Sequence, residues 1–115
     1  MDVETLVITA CSPSLKVQLY HSIPSQRPAE FGTVVRMGGN MTGYVVDRAL
    51  VTVRLYAQTR DRASELASTM KGLLQGMTDS EPNVFDVDIL SDYLSYDLDA
   101  MVASHTINCQ IIYNN

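Results

Sequence analysis

Three groups of residues in this chain are of types that do chemistry. Asp86, Asp88, Asp92, Asp97 and Asp99 crowd into one stretch near the C-terminal end. Several carboxylates together suit calcium or magnesium, because hard cations take many oxygen ligands. The spacing matches no EF-hand loop, however, and the alternation in "VFDVDIL" reads as the solvated face of a strand. Two histidines, His21 and His105, stand far apart, and His105 falls on an alternating segment where a partly buried, satisfied side chain is the expectation. Cys11 and Cys109 have no Cys-x-x-Cys or Cys/His ligand spacing, so they read as small buried apolar residues in a reducing compartment. No serine sits in a nucleophile elbow. The residues thus point away from catalysis, and no cofactor or metal is expected.

The stretch "RMGGNMTG", residues 36–43, holds half of the glycines. It lacks the Gly-x-Gly-x-x-Gly and Gly-x4-Gly-Lys-Ser/Thr spacings of phosphate cradles, and no helix pattern starts after it to hold an anion. Glycine takes positive φ without steric cost, so Gly38 and Gly39 are expected to reverse the chain in a hairpin with Asn40 and Met41 exposed at its projecting tip.

The elements that would position these residues follow from periodicity. Asp2 caps a first helix with Val3, Leu6, Val7 and Ala10 on one face, ended by Ser12-Pro13. "LKVQLYH" alternates as a strand, and the prolines of "SIPSQRPAE" mark a loop. "FGTVVRM" and "YVVDRALVTVRLYA" read as two strands, the second with Val51, Val53 and Leu55 inward and Thr52, Arg54 and Tyr56 outward. Thr59 caps a second helix, with Asp61 in its first turn and a stripe of Ala63, Leu66, Ala67, Met70, Leu73, Leu74 and Met77. Gly72 and Gly76 weaken its last turns. Phe85, Val87 and Ile89 face inward on the next strand. The last strand sets Ala103, His105, Ile107, Cys109 and Ile111 against Ser104, Thr106, Asn108 and Gln110. The fold class predicted is α+β in the order α-β-β-β-α-β-β, a mainly antiparallel sheet with two helices packed on one face.

With 115 residues, 46% hydrophobic and 18% charged, the chain suits a single domain, residues 1–115, with a real core. A formal charge of −5 disfavours a protein that grips nucleic acid, which needs clustered Lys and Arg. The acidic start "MDVETL" lacks the pattern of a signal peptide, and no apolar run is long enough to span a membrane. A soluble protein made in the cytoplasm is expected.

The strings Val34-Val35-Arg36-Met37-Gly38-Gly39, Val46-Asp47-Arg48 and Val51-Thr52-Val53, followed by the helix from Arg60 to Leu74, come in an order that resembles the small tail-terminator proteins of long-tailed bacteriophages, particularly those of actinobacterial hosts. The likeness in element order covers nearly the whole chain. Asn40-Met41-Thr42 is an insertion relative to that pattern, and "YLSYDLDAMVAS" is longer than the expected link to the last strand. The resemblance implies a virion protein, not an enzyme, that forms a hexameric ring on the last ring of major tail tube subunits. Such a ring halts tube polymerisation, meets the head-completion and neck proteins, and lets DNA pass through without specific binding. It implies no membrane partner.

On that reading, Asp47, Arg48, Arg54, Arg60 and Arg62 are candidates for subunit contacts, since charges at exposed element ends can fix the orientation of an interface. Gly38, Gly39, Asn40, Met41, Thr106, Asn108 and Gln110 are candidates for contact with the tube or a neighbour. Asp86, Asp88 and Asp92 would line the channel and repel DNA phosphates. The rival readings are a neck or head-completion connector, a small α+β ligand-binding module and a small enzyme.

Overall fold

The computed structural model describes residues 2–42, 46–97 and 102–114. Its elements are α1 (Val3–Leu15), β1 (Leu19–Tyr20), β2 (Phe31–Thr42), β3 (Val46–Ala57), α2 (Arg60–Ser80), β4 (Val84–Asp97) and β5 (Val102–Asn114). The class is α+β and the order is α-β-β-β-α-β-β, as the periodicity predicts. The strands form one sheet in the order β1-β2-β3-β5-β4, antiparallel except for the β1/β2 pair.

Both helices start where their caps dictate. Asp2 Oδ1 accepts from the Thr5 N–H at 2.8 Å, and Thr59 Oγ1 accepts from the Arg62 N–H at 3.2 Å. α1 buries Val3, Leu6, Val7, Cys11 and Leu15. It does not stop at Ser12-Pro13, because a proline in the final turn removes only the donor that would reach the Thr9 carbonyl, on the exposed side of the helix. The true end is Lys16 in the left-handed region at φ 62, its N–H bonded to the Ser12 carbonyl at 3.0 Å.

α2 likewise continues past Gly72 and Gly76 to Ser80. Two helical glycines cost about 1 kcal/mol each relative to alanine. Burial of Leu74 and Met77, with Leu73 packed beside them, anchors the turns these glycines occupy.

The expected strand "LKVQLYH" shrinks to two residues parallel to β2, with Leu19 opposite Gly32. The inward alternation of Leu15, Val17 and Leu19 is nevertheless real, since all three are buried. Leu15 is spent in α1, and Gly32 leaves space that the Leu19 and Leu55 side chains fill.

Helix α1 lies against β1 and β2, α2 lies across β3, β5 and β4, and the helices pack on each other. The core between helices and sheet is one cluster. Val34, Val51, Val53, Leu55, Ile107, Cys109 and Ile111 come from the strands, and Val7, Cys11, Leu66, Met70, Leu74 and Met77 from the helices. Burial pushes the thiols of Cys11 and Cys109 up to about 12, so both stay protonated and serve as packing atoms. Among the described residues no helix is long and apolar enough to cross a membrane.

Three bulges set which side chains reach which face. In β2, Met37 is the extra residue between the pairs Arg36–Val51 and Gly38–Leu50. In β4, Phe85 and Leu90 are the extra residues. A bulge shifts the alternation by one, and each extra residue lands outside: Met37, Phe85 and Leu90 are all more than half exposed. Phe85, expected inward, is thereby replaced by Val84 in the core.

Candidate assembly surface

The glycine stretch is not the turn that its composition suggests. Gly38 and Gly39 lie inside β2, paired with Leu50 and Ala49, and the chain reverses only between Thr42 and Val46. Gly39 has φ +123, and a Cβ there would collide with the carbonyl oxygen of Arg48. Its glycine is therefore required by the close approach of β3 beside the bulge. Nor does the hairpin project as a free arm, because β3 pairs with β5 along its whole length, from Val46–Asn114 to Ala57–Ala103. The side chains expected at the tip, Asn40 and Met41, lie outside the described residues, as do Gly43 and Asp99.

Asp47, expected at a subunit contact, is turned inward instead. It is opposite Tyr113 on the helix-covered side and only 6% exposed. Arg36 grips it with two bonds, Nη1 to Oδ2 at 2.9 Å and Nη2 to Oδ1 at 2.8 Å, and the Tyr113 hydroxyl donates to Oδ2 at 3.1 Å. The Arg36 bonds, with help from Tyr113, hold the carboxyl below its ordinary range, while burial raises the Tyr113 phenol. The neighbouring α1 contributes Glu4, whose Oε2 accepts from the Arg36 N–H at 2.7 Å and whose Oε1 lies 2.9 Å from His21 Nδ1. This cluster fastens α1 to the outer edge of β2, and Asp47 has its partners within the chain.

The acidic group of β4 divides between the two faces. Asp86 and Asp88 pair with Ile112 and Gln110 on the uncovered face and are exposed. The Leu90 bulge then reverses the phase, so Asp92 lies opposite the buried Ile107 on the helix side. There it meets His105 Nε2 at 2.8 Å and Lys71 Nζ at 3.3 Å. The His105 bond, followed by Lys71, lowers the Asp92 pKa. Asp92 is thus not a third member of an outward acidic row. His105 is satisfied on one nitrogen alone, since its Nδ1 is buried without a partner.

Arg60 is exposed at the start of α2, two residues before a clamped arginine. Arg62 bonds Glu30 through Nε and Nη2 at 2.6 and 3.1 Å and Glu65 through Nη1 at 3.1 Å. It ties α2 to the loop ahead of β2.

The remaining candidates converge on the uncovered side of the sheet. Cross-strand register places Val35, Thr52, Asn108 and Ser91 in one row and Thr33, Arg54, Thr106 and Tyr93 in the next. The polar groups in these rows are bonded to one another. Thr52 Oγ1 donates to Asn108 Oδ1 at 2.8 Å, Asn108 Nδ2 to Ser91 Oγ at 3.1 Å, and Arg54 Nε to Thr106 Oγ1 at 3.1 Å. Thr106 is 1% exposed although no helix covers it, in the row where Arg54 and Tyr93 flank it. Hydrogen bonding to Tyr56 leads the rise in the Arg54 pKa, against the opposing effect of burial, with Tyr93 adding to it.

At one margin Phe31 stacks on Tyr56 with centroids 4.6 Å apart and planes at 11°, and Tyr20 meets Phe31 edge-on at 6.2 Å. A shallow depression lined by Val35, Met37, Arg54 and Tyr93 crosses the middle. Of the expected contact residues, Arg48, Arg54, Thr106, Asn108 and Gln110 share this face, joined by Asp86 and Asp88. Sequence reasoning passed over Arg36, Tyr113 and Met37. Only the bulge and the register reveal them, although the double glycine directly after Met37 is a usable sign of irregular strand.

Comparison with protein-family models gave no match, and a search of curated proteins found no significantly similar one. The geometry of the face and the order of the sequence strings therefore carry the functional reading.

Proposed function

We propose that this chain is a virion structural protein of a long-tailed bacteriophage, a tail terminator that caps the tail tube as a ring of identical subunits and joins tail to head. The observation that carries this reading is the uncovered sheet face. One side of a five-stranded sheet is sealed by α1 and α2, while the other presents Arg48, Leu50, Arg54, Tyr93 and Gln110. A sheet that seals one side and leaves such a mixed apolar and polar side open is suited to assembly.

The sequence resemblance supplies the kind of assembly. In this reading Arg48 and Arg54 contact neighbouring subunits, as does Arg60 at the start of α2, and Gln110 and Asn108 meet the tube or a neighbour. The protein works by occupying the end of the tube, with no bond made or broken, and DNA passes through the ring.

The test is a length assay on polymerising tail-tube subunits. Added protein is expected to stop growth and to appear as a cap at one end of each tube in electron micrographs. Tubes of unregulated length, with no cap density at equimolar protein, would overturn the proposal.

A further inference from the structure

The uncovered face has a sidedness that its residues give but the ring reading does not require. Among the described residues, its basic column lies on β3, with Arg48 and Arg54, and its acidic column lies on β4, with Asp86 and Asp88. β5 runs between them and carries Ile112 and Gln110. Arg48, Ile112 and Asp86 stand in a single row across the three strands. Turning a second copy over about an axis along β5 lays β5 on β5 and exchanges β3 with β4. Each Arg48 then lies over the partner's Asp86, each Arg54 over the partner's Tyr93, and Ile112 over its own copy.

From this complementarity we infer that, off the tube, two copies of the chain pair face to face through their uncovered sheet sides. Two sheets stack about 10 Å apart with strands nearly aligned, a gap that an arginine and an aspartate span together. The three strands that overlap in this arrangement, β3, β5 and β4, about 4.8 Å apart and about 40 Å long, offer roughly 580 Å² per copy, below the roughly 800 Å² per partner of a standard stable interface and in the range of weak, reversible pairs.

Desolvation is modest because the central polar groups already bond one another: Thr52 to Asn108, Asn108 to Ser91, Arg54 to Thr106. Charge pairing is needed because two chains of −5 repel each other, and the Arg48 and Asp86 columns supply it. Such a pair uses up the face, so it must part before that face can serve another contact. The inference rests on the sheet face alone and not on the tube-capping reading.

A charge exchange followed by sedimentation equilibrium tests it. The full chain is expected to be dimeric at tens of micromolar. Arg48→Glu and Asp86→Lys, both at exposed positions, should each weaken dimerisation by roughly tenfold or more, and the double variant Arg48→Glu/Asp86→Lys should restore it to within about threefold. Far-ultraviolet circular dichroism establishes that each variant is folded. A monomeric wild-type chain, single variants that dimerise as the wild type does, or a double variant no better than the singles would each overturn the inference. Tube capping is scored separately on the same samples. A protein that caps tubes without the exchange effect sinks the pair alone, and one with the exchange effect that caps nothing sinks the terminator reading alone.

Discussion

The two sides of this sheet are built from the same strands under opposite rules. Toward the helices, most residues are apolar and buried, and charged groups there find partners inside the chain: Asp47 with Arg36 and Tyr113, Asp92 with His105 and Lys71. Toward the open side, polar groups bond one another across strands, and Met37, Leu50 and Tyr93 remain exposed among them. A buried charge is costly unless paired, so the buried Asp47 carboxylate is bonded on both oxygens. Groups that a partner is to cover gain from being bonded already, so the open side holds its polar atoms in ladders while leaving apolar surface bare.

The contrast predicts that substitutions separate into those that cost the fold and those that cost assembly. The largest effect belongs to the covered side. Leu55→Ala, at a fully buried position, is expected to destabilise the chain by about 3 kcal/mol in urea or thermal unfolding, within the usual range for a core leucine.

Next comes the charged cluster. Asp47→Ala strands Arg36 and should cost about 2 to 3 kcal/mol, less than the roughly 3 to 5 of a fully buried pair because the Arg36 side chain is about a third exposed. The same group fixes an acid dependence. Its folded pKa lies below the ordinary 3.8, so its contribution is fully present above that value and fades as pH falls through the lower, folded value. Acid titration of stability should therefore show a loss below about pH 3.8 that Asp47→Asn lacks. An unchanged acid limb in that variant would remove Asp47 from the stabilising set.

Gly39→Ala tests the close approach of β3 to β2 beside the Met37 bulge. The positive φ and the collision with the Arg48 carbonyl should lower stability by about 1 to 3 kcal/mol in the same unfolding measurement. The smallest effect on folding lies on the open side. Leu50→Ser, at a position 39% exposed, should leave monomer stability within about 0.5 kcal/mol of the wild type while weakening self-association by sedimentation. A large loss of stability there would mean that the open face belongs to the fold after all.

Much of the architecture could be read before any coordinates. Asp2 and Thr59 announce helix starts, and the Ala63-to-Met77 stripe gives the buried side of α2. The alternation of Val51, Val53 and Leu55 against Thr52, Arg54 and Tyr56 survives intact, as does that of the last strand, because neither β3 nor β5 contains a bulge. Alternation fails where an extra residue is inserted. Phe85 lies outside because it is itself an extra residue, and Asp92 lies on the helix side because Leu90 is inserted before it. The candidate surface was half legible: alternation puts Thr52, Arg54, Thr106, Asn108 and Gln110 on the sheet side away from the helices, but only the register sets them in rows and brings Arg48, Asp86 and Asp88 beside them.

The sequence by itself determined local matters: which segments coil, which extend, where caps sit, and which side of an unbroken strand is apolar. These follow from spacing and from the chemistry of single residues, and they need no knowledge of distant segments. Only the tertiary structure decided that Gly39 serves a close approach inside a strand, that Arg36 and Tyr113 claim Asp47, and that β5 stands between a basic and an acidic column. Each of these depends on which strands pair and in what register, a global choice that local spacing leaves open because a slip of one residue exchanges the faces.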